Sequence, residues 1–194
     1  SLKNLLFFSN NINKVHEIKK IFDDNFIKLY TLKDFKFMND PLESGKTFIE
    51  NAKIKSEYGF KKTNTPTFAD DSGICIEALE NKPGVFSKRY LNSFKNQKAC
   101  LENILNIVKK KKKNNAYFKT SICLTIKENH NIVFEGTING KISNKIMGKK
   151  GFGYDPIFIP NGHDKTFAEM SLDQKNSISH RSIAIQKLLS FIID

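Results

Sequence analysis

PTFADDSGICIEALENKPGVFSKRY, residues 66–90, is the stretch around which the rest of the chain is organised. Thr67, Phe68 and Ala69 form a short β-like run, and Ile74, Cys75 and Ile76 form another. Between them stand Asp70, Asp71, Ser72 and Gly73. The pattern reads as a strand end carrying two acids, turned by a glycine into a second short strand. Such a pair offers hard oxygen ligands of the kind Mg²⁺ takes, with waters and substrate phosphates completing the shell. Asp-Asp-Ser-Gly is equally the composition of an ordinary turn, so the doublet alone does not decide between the two.

Working outward, NLLFFS (residues 4–9) is an apolar run of strand length. Asn11 or Asn13 then offers an N-cap, and Val15, Ile18 and Phe22 keep helical spacing to about residue 23. SNNINK (9–14) is therefore a strand-to-helix loop, either a simple capped turn or an anion cradle to which Lys14 adds positive charge. Residues 26–32 read as a second strand. Thr47 and Glu50 have capping-box spacing and open a helix expected to reach Tyr58 and stop at Gly59. Asn51 and Lys55 share one face of it, and Glu43, in the turn just before, can supply a further carboxylate near the doublet.

Toward the C-terminus, residues 81–84 form a turn, and residues 97–108 a helix with Leu101, Ile104, Leu105 and Val108 on one face. Residues 118–127 and 131–139 read as a hairpin, with 140–146 continuing the sheet. Residues 148–155 are a glycine-rich loop, and 161–165 a turn. Ser179 caps a last helix with Ile183, Ile185, Leu188, Leu189 and Ile192 as its apolar stripe. Strands mixed with helices predict an α/β fold with a mixed sheet.

At 194 residues the chain suits one core, and a single domain over 1–194 is expected. Hydrophobic content of 39% with 17 Phe argues against disorder. No apolar run approaches the roughly 20 residues of a membrane span, and no leader-like pattern opens the sequence, so a cytoplasmic protein with no membrane partner is expected. Cys75, Cys100 and Cys123 are odd in number and far apart, which excludes a Cys-x-x-Cys zinc site or a disulfide framework and predicts buried thiols. The net charge of +12 permits nucleic acid, acidic membrane surfaces or polyphosphates as partners and does not choose among them. The run of lysines at 109–113 reads as a solvated helix end, and His16, His130 and His163 are given no role.

Beyond the doublet stand SNNINK (9–14), ESGKTFIENAKIK (43–55), GKKGFGYDPIF (148–158), TFAEM (166–170) and KNSISHR (175–181). In this order and spacing they resemble the Ham1/RdgB family of inosine triphosphate pyrophosphatases, over residues 5–189. The resemblance implies a mixed, elongated sheet flanked by helices, in two lobes with an active-site cleft between them. It implies Mg²⁺-dependent hydrolysis of inosine, deoxyinosine and xanthosine triphosphates to the monophosphate and pyrophosphate, with water attacking the α-phosphorus. A homodimer that binds no nucleic acid is implied as well.

Carried over by motif, Ser9, Asn10, Asn11 and Lys14 would form the phosphate loop. Glu43 and Asp71 would be metal ligands, with Asp71 the candidate general base, and Ser72 would touch substrate. Phe152, Gly153, Tyr154 and Asp155 would line the nucleoside pocket with Lys175, His180 and Arg181. Lys55 and Arg89 are additional candidates for the phosphates. In that pocket Phe152 offers a stacking face, Asp155 would accept from N1–H of a 6-oxo purine, and Arg181 or backbone N–H groups would donate to O6. Adenine reverses both patterns and would leave buried groups unpaired. Two positions depart from the family pattern: Asn10 stands where glycine is usual, and Phe86 where tyrosine is common. Asn is the next most tolerant residue for left-handed backbone, so the loop is expected to survive. The rival readings are a Maf-like pyrophosphatase acting on modified pyrimidine nucleotides, and a basic nucleic-acid-binding protein supported by net charge alone.

Overall fold

The computed structural model describes residues 4–36 and 38–194. Strand β1 is Leu6–Phe7, followed by helix α1 (Ile12–Asp24) and helix α2 (Phe48–Thr63). Strand β2 (Thr67–Ile76) is 10 residues long and almost wholly buried. After it come β3 (Lys82–Pro83), α3 (Ser87–Asn92), α4 (Gln97–Lys111), β4 (Asn115–Lys127), β5 (His130–Ile142), β6 (Phe158–Pro160), α5 (Leu172–Asn176) and α6 (His180–Ile193). The sheet runs β1-β2-β4-β5-β6, with β3 on β2. β1 is parallel to β2, while β3 and β6 pair antiparallel with β2 and β5, so the sheet is mixed as the sequence predicts.

The acidic doublet is not at a turn. Residues 67–76 form one unbroken strand, with Asp70 and Asp71 in its middle. Gly73 serves a close approach instead of a bend: a Cβ there would lie 2.1 Å from the Gly84 carbonyl oxygen and 2.6 Å from Ser87 Oγ.

Further expectations are corrected. Residues 26–32 form no strand: Phe26 takes φ 57°, and Tyr30 makes only an isolated bridge to Leu6. Helix α2 does not stop at Gly59 but continues to Thr63 and closes on a left-handed Asn64 (φ 52°). Gly59 is a contact residue, since a Cβ there would stand 2.7 Å from Thr67 Cγ2 and 2.9 Å from Phe8 Cδ2. Residues 81–84 are not a simple turn either, because Lys82–Pro83 is strand β3, paired antiparallel with β2, and β5 ends at Ile142 rather than near 146.

The chain forms two compact units. One comprises the chain up to Asp71, Thr120–Gly136 and Arg181–Asp194; the other comprises Ser72–Lys119 and Thr137–His180. The first is centred on Phe7, Phe22 and Phe68, whose rings stack, with Ile122, Leu124, Ile185 and Leu188 around them. In the second, Phe118, Phe158 and Phe167 pack together among Ile74, Ile104 and Ile157.

Candidate active-site residues

In the first unit, successive side chains leave β2 on opposite faces, so Asp70 and Asp71 meet different partners. Asp70 is 1% exposed. Its Oδ2 lies 3.2 Å from Lys14 Nζ and 3.3 Å from Arg181 Nε, and Thr120 Oγ1 reaches it at 3.5 Å. Arg181 Nη1 donates to Glu17 Oε1 at 2.6 Å, and both side chains are buried. Asp71 Oδ2 accepts from Asn51 Nδ2 at 3.1 Å. One turn along α2, Lys55 Nζ donates to the Asp70 carbonyl and pairs with Glu43 Oε1 at 3.0 Å.

Asn51 and Lys55 therefore present one helix face to the doublet, as their i, i+4 spacing requires. Asn51 Oδ1 also accepts from the Gly45 backbone N–H, which ties the turn bearing Glu43 to the same helix. A Cβ at Gly45 would come 2.6 Å from that oxygen.

The electrostatics follow from burial. The Asp71 carboxyl is pushed up to about 6 by desolvation, against the pull of Lys55, Lys14 and the Asn51 hydrogen bond. The Lys14 ammonium is lowered because burial outweighs Asp70. For Lys55 burial acts in the same direction, but Asp70, Asp71 and Glu43 outweigh it and raise its affinity for a proton. Asp71 and Glu43 present carboxylate oxygens only, a donor set that fits a hard cation such as Mg²⁺. No group of three or more His, Cys, Asp or Glu among the described residues is arranged to hold a metal by itself.

The Ser9–Lys14 loop is held as a capped helix start. Asn11 Oδ1 accepts from the N–H groups of Asn13 and Lys14, and Ser9 Oγ accepts from Asn11 N–H. Asn10 has no left-handed backbone; its side chain donates to Asp40 Oδ1 at 2.8 Å. This explains how asparagine stands at that position without strain.

In the second unit, the loop 148–155 is wrapped around Asp155. Its Oδ2 accepts from Lys175 Nζ at 2.7 Å and from Phe152 N–H at 3.0 Å, and the side chain is buried. Gly151 (φ 69°) is where the wrap is tightest: a Cβ would lie 2.2 Å from that oxygen. Lys175 Nζ stands 4.7 Å from the Phe152 ring centroid. The Tyr154 hydroxyl donates to the Ser87 carbonyl, and the His180 ring stacks on Phe118 at 4.7 Å. Gly153 is left-handed, its carbonyl taken by Gln97 Nε2. Arg89 is exposed and lies 5.2 Å from the Phe86 ring; Ser72 follows Asp71 on β2.

Most of the motif residues thus fall into two groups: Lys14, Glu43, Lys55 and Asp71, and Phe152–Asp155 with Lys175. Arg181, expected with the second group, pairs with Glu17 and Asp70 in the first. Asp155, expected to read a purine edge, has its Oδ2 committed to Lys175 and the Phe152 N–H because burial makes an uncompensated carboxylate costly. Sequence reasoning gave no role to Glu17 or Asn51. Glu17 had a usable signal, being an acid at helical spacing from Lys14 on the face that carries Ile18 into the core.

The Ham1 family model matches residues 5–191. A dITP/XTP pyrophosphatase of Christiangramia forsetii is 43% identical over 188 residues, covering 97% of this chain and 98% of that protein. One of Bacillus subtilis is 38% identical, covering 96% of each chain. Among solved structures, a HAM1 protein from Coxiella burnetii superposes with a TM-score of 0.87 at 35% identity, over 100% of this chain and 99% of that one. With its mixed sheet, its two groups of motif residues and near-complete coverage in each comparison, the chain belongs to the Ham1 family.

Proposed function

We propose that this protein hydrolyses deaminated purine nucleoside triphosphates, those of deoxyinosine, inosine and xanthosine, to the monophosphate and pyrophosphate. The observation that carries the reading is the Asp70–Asp71 doublet, buried at mid-strand and ringed by Lys14, Lys55 and Arg181. Relatives of the same length that are named dITP/XTP pyrophosphatases support the choice of substrate.

The chemistry needs phosphate charge neutralised, a water aligned and its proton accepted. Lys14 and Lys55 supply fixed positive charge in a buried setting, where such charge acts strongly. Asp71 and Glu43 would hold Mg²⁺, which when bound neutralises phosphate oxygens. Asp71, which stands beside Lys55 and accepts a hydrogen bond from Asn51, would also take the water's proton. Asn51 and the Ser9–Lys14 backbone hold these groups in place. Phe152, backed by Lys175, offers the base a stacking face. Asp155 acts by holding Lys175 and the Phe152 N–H in place. Lys175 is a donor that cannot accept, which favours a 6-oxo group over the amino group of adenine. The protein is proposed to act as a cytoplasmic homodimer, the dimer being what the family resemblance implies.

Hydrolysis of deoxyinosine triphosphate in ¹⁸O-water tests the point of attack. Label in the monophosphate is the expected result. Label in pyrophosphate, or release of orthophosphate, would move the attack to another phosphorus and overturn the mechanism.

A further inference from the structure

The lysine run 109–113, which the sequence presents as a solvated helix end, borders a cavity of about 930 Å³ that lies wholly within the second unit. Lys109, Lys112 and Lys113 line it from the end of α4, and Lys145 lines it from the segment after β5. Lys111 is committed elsewhere, its Nζ donating to the Ala78 carbonyl at 2.9 Å. Lys112 closes α4 in left-handed backbone (φ 55°), a place more often taken by glycine or asparagine. The helix dipole accounts for cations in the last turn of α4. It does not account for Lys145, which sits on another element. These four lysines make no ion pair among the described residues. The one carboxylate in the lining, Glu102, stands 3.8 Å from a fifth lysine, Lys98. The wall between the charges is apolar, with Leu105 and Ile146 partly buried and Val108 and Ile142 buried.

We propose that this groove docks an acidic, amphipathic peptide segment of a partner protein, its carboxylates on the lysines and its apolar side chains on Leu105 and Ile146. Charges of one sign around a concave surface raise the local concentration of anions. Lysines alone would serve any polyanion, and the apolar wall favours one that carries apolar side chains. Nucleic acid is disfavoured, because neither an aromatic residue nor an arginine lines the cavity and bases have nothing to stack on. A second copy of this chain is disfavoured by charge, since two-fold pairing of this face sets lysines against lysines. Lys98 and Lys109 are 11 residues apart on α4, about 16 Å at a rise of ~1.5 Å per residue. An extended segment covers that length with about five residues. The proposal uses none of the residues assigned to the nucleotide.

The probe is a fluorescein-labelled octapeptide of alternating Asp and Leu, titrated with the full chain by anisotropy at about 0.15 M salt, where weak surface attraction is screened. Saturable one-to-one binding is expected, and its absence overturns the proposal. An Asp-Ser octapeptide keeps the charge and drops the apolar groups. It should bind the unaltered protein at least tenfold more weakly; equal binding would show that the lysines take any anion and would overturn the docking of a peptide. Lys109→Glu combined with Lys145→Glu should weaken the Asp-Leu probe at least tenfold. Lys61→Glu combined with Lys127→Glu, both exposed and in the first unit, makes the same change in net charge and should weaken it less than twofold. Equal losses from the two pairs would mean general attraction to a chain of charge +12, and would overturn the proposal. Displacement of the probe by tripolyphosphate or oligothymidylate at a tenfold lower concentration than by unlabelled peptide would assign the groove to phosphates instead. Every readout is binding, so failure here leaves the substrate reading standing, and hydrolysis of deoxyinosine triphosphate by the Lys109, Lys145 variant should stay within twofold of the parent.

Discussion

Asp70 and Asp71 are adjacent and both buried, and the fold treats them differently. Asp70 is surrounded by cations, so its charge is compensated where it stands. Asp71 has an amide partner and a carboxyl pushed up to about 6 from 3.8, mainly by desolvation. An acid whose folded-state pKa is raised contributes full stability below its unfolded value and loses it as pH climbs through the folded value. For Asp71 that window runs from about 4 to 6, and above it the fold carries a penalty of about 3 kcal/mol at 1.36 kcal/mol per unit. Asp71→Asn should therefore abolish pyrophosphate release and yet raise stability by up to that amount at pH 8 in chelator, with little gain at pH 4. Denaturant titrations at the two pH values check this, and equal effects at both would remove the burial argument. Phe152→Ala should raise KM for deoxyinosine triphosphate about tenfold or more, since a stacked base is worth about 1–3 kcal/mol; an unchanged KM would end the stacking role.

At the scale of elements, the motifs were legible and several boundaries were not. The caps of α1 and α2 and the β4–β5 hairpin could be read because local chemistry settles them: Asn11 caps, Thr47 accepts from Glu50 N–H, and Asn129 turns at φ 59°. Gly59 and Gly73 could not, because each is glycine for the sake of something distant in sequence. Gly59 lies against Phe8 and Thr67, Gly73 against Gly84 and Ser87. A single sequence shows the glycine and not the neighbour, so each reads as a break. The same limit hides the pairing of Asp155 with Lys175, 20 residues away, and of Arg181 with Glu17 and Asp70, more distant still. Gly59→Ala gives a direct test. Helix propensity favours Ala by about 1 kcal/mol, while a Cβ 2.7 Å from Thr67 Cγ2 forces overpacking worth about 1–3 kcal/mol. The net change should be destabilising by about 1 kcal/mol in urea, and a stabilised variant would show that the packing gives way freely.

For the whole molecule, both compact units draw on separated stretches of chain, and β2, β4 and β5 each pass from one to the other. One cooperative unfolding transition is expected by calorimetry, as for a single domain over 1–194; two resolved transitions would contradict it. The charge of +12 does not by itself select a function. The buried arrangement around Asp70 and Asp71 makes phosphate chemistry the sharper reading. The measurement that tests it most directly is pyrophosphate release from deoxyinosine, xanthosine, guanosine and adenosine triphosphates, each with Mg²⁺ and with chelator. Fast, Mg²⁺-dependent release from the first two, and at least a hundredfold less from adenosine triphosphate, is predicted, with guanosine triphosphate the slower of the 6-oxo substrates. Equal release from all four, or release that persists in chelator, would contradict the account.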